Sequence, residues 1–331
     1  MASPMMPVAR IHAEMHGWLP IRVWPGDGEW RVDWCWFGTQ RLTQPFYRDE
    51  VDLALRLPFN QVFRRETPLA ALLDWQAVSP GLAPSAFIFH ASRCGSTLLA
   101  QMLARLDSHL VLSEPPPLDQ LLRAHYGSEL RGAEQSAAIG AMLSALGQRR
   151  DGRASRLVVK LDAWNLHELP LLRHCFPGTP WLFLYRDPLE IAVSHLQQPG
   201  LHMVPGLLGE SPLNRADEVP TPREVFIARR LGRLLQAAVD LQRQHAGLLL
   251  NYNELPMALA GRLRTLFGLD AGQLATALEG SGAHAKRPEQ VFTADAQAKR
   301  DGASALLREA VSHWAEAPYR ALERLRVQQL G

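Results

Sequence analysis

Three cysteines in 331 residues, Cys35, Cys94 and Cys175, stand far apart and without a CxxC spacing. That leaves no material for a disulfide framework or a thiolate zinc site and fits a reducing compartment. Charge of one sign is also missing. Lys and Arg number 35 against 33 Asp and Glu, a formal net charge of +2, and no run of Lys or Arg is longer than two. A basic nucleic-acid face is therefore not expected. No apolar stretch approaches the roughly 20 residues needed to cross a bilayer. The opening MASPMMPVARIHAEMHGWLP lacks the continuous apolar segment of a secretory signal. The expectation is a cytoplasmic protein with no membrane span and no nucleic-acid partner.

What is present is an ordinary globular composition, 47% hydrophobic and 21% charged. The length suffices for one large α/β domain with an appendage. Aromatics are unevenly spread: Trp18, Trp24, Trp30, Trp34, Trp36 and Trp75 are six of nine tryptophans. EWRVDWCWF mixes aromatic and β-branched residues with partial alternation beside the turn signal PGDG, which predicts a short hairpin. PLAALLDW then reads as a helix. SPGLAPS, residues 79–85, is rich in chain breakers and marks a boundary. It divides a Trp-rich α+β region, 1–80, from a second region, 81–331.

From Ala86 strand and helix patterns alternate. AFIFH (86–90), HLVLS (109–113), RLVVK (156–160), WLFLYR (181–186) and GLLLNY (247–252) are short apolar runs separated by helical spacing. Helices are predicted through AAIGAMLSALGQ, from about Trp164 to Cys175, over 222–245, and as one final helix over 303–326. This alternation predicts an α/β three-layer sandwich with a central parallel sheet of about five strands. The Pro/Gly-rich segment from Gln197 to Pro222 reads as a lid, a binding loop or disorder.

Between the first core strand and its helix lies HASRCGSTLL. In a parallel sheet, ligands bind at the carboxyl ends of the strands, and an anion sits best at a helix N-terminus. Gly95 permits close backbone approach, Ser96 and Thr97 offer hydroxyls, and Arg93 adds a charged fork. Against the triphosphatase pattern G-x-x-x-x-G-K-[ST], His90 replaces the first glycine and Ser96 the lysine. RLVVK ends in Lys160 and WLFLYR in Arg186, so no strand end supplies a magnesium-binding carboxylate. A second segment, YRDPLEIAVS, puts Arg186 at a strand end and Ser194 eight residues on, both able to donate to a second phosphate.

Paired in this order, SRCGSTLL and YRDPLEIAVS resemble the PAPS-dependent sulfotransferases, especially the bacterial branch with its P-loop-like fold. The resemblance covers roughly residues 86–325. It implies that Arg93, Gly95, Ser96 and Thr97, with the backbone of Cys94, hold the 5′-phosphosulfate of PAPS (3′-phosphoadenosine-5′-phosphosulfate), and that Arg186 and Ser194 hold the 3′-phosphate. LNYNEL, with Tyr252, is similar to the family's segment after the last core strand, although Asn253 and Glu254 replace its acidic pair. KRPEQVFTADAQAKRDG is similar to the C-terminal segment that folds over the nucleotide, with Lys299 and Arg300 as its basic residues. The implied activity is sulfuryl transfer from PAPS, the donor, to a small-molecule or glycan acceptor, with no metal.

Such transfer needs a base for the acceptor proton and cations for developing charge. Glu114, ending the second core strand before three prolines, is the candidate base, or else a capping or exposed carboxylate. Lys160 is the candidate electrostatic helper, or else a snorkelling lysine. Asp162 and Asn165 either position the acceptor or start a helix. His195 and His202 flank the long loop, and a histidine base is the rival to Glu114. His167, Glu168 and His174 lack metal-site spacing and read as packing or surface residues. Two other functions remain open: a P-loop kinase or triphosphatase with a degenerate loop, and a non-catalytic nucleotide-binding module.

Overall fold

The computed structural model describes residues 15–214, 221–279, 283–284, 287–291 and 300–330. It contains a three-stranded antiparallel sheet of β1 (Trp18–Pro25), β2 (Trp30–Trp36) and β3 (Arg65–Pro68). The central sheet has five strands: β4 (Pro84–His90), β5 (His109–Ser113), β6 (Arg156–Lys160), β7 (Trp181–Tyr185) and β8 (Leu248–Asn251). Their order is β5-β6-β4-β7-β8, a parallel sheet flanked by helices, as the alternating pattern predicts. β9 (Ala283–His284) and β10 (Arg287–Val291) form a small antiparallel pair. Among the described residues, no helix is long and apolar enough to cross a membrane.

The chain divides into two compact units interleaved along the sequence. The first comprises residues up to 85 with 103–159 and 171–178. Its hairpin turns where PGDG predicts, with Pro25 opposite Trp30 and Gly26 N–H donating to Glu29 O at 2.9 Å. The tryptophans build a core. Trp34 meets Trp75 edge-on at 5.6 Å and Trp18 meets Trp36 at 5.7 Å, while Trp34 Nε1 donates to Thr67 Oγ1 at 2.9 Å. Polar ties join this layer to later segments of the same unit. Val23 N–H donates to Gln120 Oε1 at 2.7 Å. Arg150 donates to the carbonyl of Gln40 at 2.6 Å, and Arg41 to those of Ala104 and Leu106 at 2.9 Å each.

The second unit comprises 86–102, 160–170 and the chain from Thr179 onward. β7 lies between β4 and β8, with His90 opposite Leu184 and Tyr185 opposite Asn251. All five residues of β7 are buried, as a strand covered on both faces requires. The helix Arg223–His245 buries Phe226, Ile227, Leu231, Leu234, Leu235, Ala238 and Val239 at helical spacing.

The structure corrects one helix. The tail forms two helices, Ala305–Trp314 and Glu316–Gln328, where one is expected from the sequence. Pro318 explains the break: it has no N–H, and its ring would collide with the carbonyl four residues back in a continuous helix. That carbonyl, of Trp314, faces Gly232, where an added Cβ would stand 2.2 Å from it. The long loop, read from the sequence as a lid, a binding loop or disorder, packs inward over 198–214. His202, Met203, Leu208 and Leu213 are buried. Arg230 fastens the loop by donating to His202 O at 2.9 Å and to Asn214 Oδ1.

Candidate functional site

β4 ends at His90, and the helix Ser96–Ala104 begins six residues later. The intervening loop turns through left-handed backbone at Ser92 (φ 61°), Arg93 (φ 49°) and Gly95 (φ 86°). A turn of this kind can aim successive backbone N–H groups at one anion, as a nest does. The loop is pinned from within. Ser92 N–H donates to His90 Nδ1 at 3.0 Å, Ala91 N–H to Leu184 O at 2.9 Å, and Cys94 Sγ to the same carbonyl at 3.1 Å. Arg93 reaches Gln198 O at 2.6 Å. Ser96 and Thr97 open the helix, where N–H groups have no carbonyl four residues back. Burial pushes the Cys94 thiol up to about 11, against the smaller opposing pull of backbone N–H groups and of the Lys160 charge. Cys94 is thus a packing residue, not a nucleophile.

Because β7 is the neighbour of both β4 and β8, their carboxyl ends open side by side. Arg186 follows β7 and Tyr252 follows β8. The Arg186 guanidinium lies over the Tyr252 ring, 4.4 Å from its centroid. Gly95 also lies against that ring: a Cβ there would come 2.4 Å from Tyr252 Cδ2. One tyrosine therefore touches both predicted anion-holding segments. Arg186 also donates through Nε to Glu190, and Glu190 receives Arg300 at 2.8 Å. Ser194 stands one turn beyond Glu190 on the helix Pro188–Gln197 and shares its face. Glu190 was not singled out from the sequence. Its signal is the acid four residues after an arginine, a spacing at which side chains meet on a helix.

Lys160 ends β6 fully buried, which removes the snorkelling reading, since such a lysine keeps its ammonium in water. Asp162 and Asn165 cap the turn Ala163–Glu168 reciprocally, with Asn165 Oδ1 accepting Asp162 N–H at 3.1 Å. They start a helix. Glu254 is likewise a capping residue: it accepts Asn251 N–H at 2.8 Å and pairs with Arg262. His195 is fully buried, and its Nδ1 accepts Gly200 N–H at 3.1 Å. His202 is buried beside it, ring centroids 5.4 Å apart.

Glu114 lies in the first unit, directly after β5, with a left-handed φ of 54°. Pro115 follows, and the helix Pro116–Leu122 begins one residue later. Lys299 lies outside the described residues. Among the described residues, no group of three or more His, Cys, Asp or Glu could hold a metal ion.

No family model matches the chain, and no curated protein matches it. Similar solved structures exist. A sulfotransferase from Alicyclobacillus acidocaldarius is 14% identical, with 74% of this chain and 96% of that chain covered and a TM-score of 0.44. The sulfotransferase domain from the curacin biosynthetic pathway is 16% identical, with 71% and 97% covered and a TM-score of 0.42. The sulfotransferase domain of a Synechococcus olefin synthase is 17% identical, with 74% and 95% covered and a TM-score of 0.39. Likenesses of this size assign no residue a role.

Proposed function

We propose that the chain is a PAPS-dependent sulfotransferase acting on a hydroxyl or amine of a small-molecule or glycan acceptor. The observation that carries this reading is the contact of Tyr252 with both Gly95 and Arg186. Both the loop and the second-segment arginine lie against this one ring. The residues fit a nucleotide with anionic groups at both ends. Gly95 lets the Tyr252 ring lie against the loop, and the loop backbone with the first turn of Ser96–Ala104 suits the 5′ end. Arg93, Ser96 and Thr97 would hold that end. Arg186 and Ser194 would hold the 3′-phosphate, and Lys299 and Arg300 would belong to the segment that folds over the nucleotide.

When bound, PAPS supplies an activated sulfuryl group. The protein's own tasks are to hold the acceptor in line, take its proton, and neutralise charge on the leaving side. Glu114 accepts the proton from the attacking oxygen or nitrogen as the new bond to sulfur forms, a role typically worth about 10²–10⁴ in rate. Its left-handed backbone supports a functional assignment, because such strain persists in non-glycine residues chiefly where function requires it. Lys160 would be the group that neutralises charge on the departing phosphate oxygen.

Calorimetry with PAP (adenosine 3′,5′-bisphosphate), the desulfonated product, tests the reading. Tight binding without magnesium is expected, weakened severely by Arg186→Ala. No binding by the intact protein, or equal binding by that variant, overturns it. A pH–rate comparison with Glu114→Gln tests the base: unchanged turnover would transfer that role to a histidine.

A further inference from the structure

The tail helix Glu316–Gln328 packs against β8, which is the edge strand of the central sheet. Near the start of the strand, the side chain of Gln329 stands in for a further strand. It accepts Leu249 N–H at 2.9 Å and donates to Gly247 O at 2.8 Å, which covers part of an open sheet edge. Near the carboxyl end of the strand, Glu323 and Arg326 of the helix pair with each other at 2.8 Å. Glu323 Oε1 accepts the Tyr185 hydroxyl at 2.6 Å and Asn251 Nδ2 at 3.0 Å. Arg326 stands 3.4 Å from Glu254, the last residue of the turn Tyr252–Glu254.

The three positions held by this pair bracket the Arg186–Tyr252 stack. Tyr185 immediately precedes Arg186, Asn251 immediately precedes Tyr252, and Glu254 closes the turn that carries the Tyr252 ring. Tyr185 and Asn251 are also the last register pair between β7 and β8. Arg186 and Tyr252 therefore lie one step beyond the point where the ladder fixes the backbones. A guanidinium resting on a ring depends on their separation, and one carboxylate shared across the final pair sets that separation. The cluster is balanced in charge, with Glu254 and Glu323 facing Arg262 and Arg326. It acts on the site through position rather than through a net field.

We propose that Glu323, braced by Arg326, is the positioning residue of the Arg186–Tyr252 stack. It spaces the ends of β7 and β8, and thereby places the Arg186 guanidinium for the 3′-phosphate before the nucleotide arrives, which lowers the ordering cost of binding. This rests on the PAPS-pocket reading above. The rival role for the same carboxylate is that of a helix anchor that stabilises the fold alone.

Calorimetry with PAP and with adenosine 5′-monophosphate, which has no 3′-phosphate, separates the two roles. Glu323→Ala is expected to weaken PAP about tenfold and to leave the monophosphate within about twofold. Glu323→Gln keeps an oxygen for Tyr185 and Asn251, so most of the PAP affinity should return. Equal losses for the two ligands, no loss for PAP, or a Gln variant no better than the Ala variant overturn the proposal. Should Glu323→Ala not fold, Tyr185→Phe decides, because it removes only one hydroxyl from a buried side chain. It is expected to weaken PAP about threefold and to spare the monophosphate; an unchanged PAP affinity overturns the proposal. Failure of the wild type to bind PAP at all overturns the underlying reading, and the positioning role with it. Wild-type binding with equal losses for both ligands overturns the positioning role alone.

Discussion

Tyr252 lies against Gly95 so closely that a methyl group on the glycine would overlap its ring, at 2.4 Å from Cδ2. Gly95 also holds a φ of 86°, which side-chain-bearing residues avoid. Gly95→Ala therefore meets two penalties: about 1–2 kcal/mol for the left-handed backbone and about 1–3 kcal/mol for the forced contact. Adding Tyr252→Ala should relieve the second penalty and leave the first. Denaturant unfolding of the single and double variants measures the difference. Equal stability of Gly95→Ala and wild type would refute the packing.

Arg186→Lys keeps the charge but removes the fork. A lysine has no Nε edge for Glu190 and no planar face for Tyr252. PAP affinity is expected to fall about 10- to 100-fold despite the retained charge. An affinity within twofold of wild type would mean that only net charge matters there.

His167 makes the protein acid-sensitive. Burial holds its imidazole down to about 4, from an ordinary value of 6.5, and its Nε2 has no hydrogen-bond partner among the described residues. The unfolded chain takes up this proton below about pH 6.5, whereas the folded protein resists until about pH 4. Stability from this group is thus complete above pH 6.5 and is lost as the pH falls through that window, by up to about 1.4 kcal/mol per pH unit. His167→Leu should flatten the slope between pH 6.5 and 4 in a series of urea melts. An unchanged slope would place the acid sensitivity elsewhere.

Cys94 should resist alkylation. Its thiol sits in the anion loop but is raised to about 11 by burial and donates to Leu184 O. Iodoacetamide at pH 8 is expected to label it only after denaturation, as read by peptide mass spectrometry. Rapid labelling of the native protein would show a reactive thiolate.

Ala246 ends the helix Arg223–His245 with a left-handed φ of 45° on the surface. Glycine favours that cap position. Ala246→Gly should raise stability by about 0.5–1 kcal/mol, the strain relieved less the entropy glycine loses on folding. A lower midpoint in a thermal melt would contradict this.

The five core strands were legible in the sequence because each is covered on both faces and so reads as a continuous apolar run, as in WLFLY. The hairpin was legible because PGDG sits between two aromatic-rich strands. β3 was not. RETP has no apolar alternation, and it is a strand only because β2 offers it an edge, with Asp33 opposite Glu66. The split of the final helix could be read from Pro318, but only with attention to the carbonyl it displaces.

At the candidate site, the sequence by itself determined the chemistry of the loop and of the second segment. Glycine, hydroxyl residues and arginine at those spacings suit an anion wherever the chain places them. Tertiary structure alone decided that Tyr252 joins the two segments, that Lys160 is sealed from water, and that one carboxylate serves both Arg186 and Arg300. The reason is physical: periodicity and turn chemistry report the local surroundings of a residue. Strand order, and the sharing of one buried charge by two distant cations, depend on pairing between segments far apart in the chain.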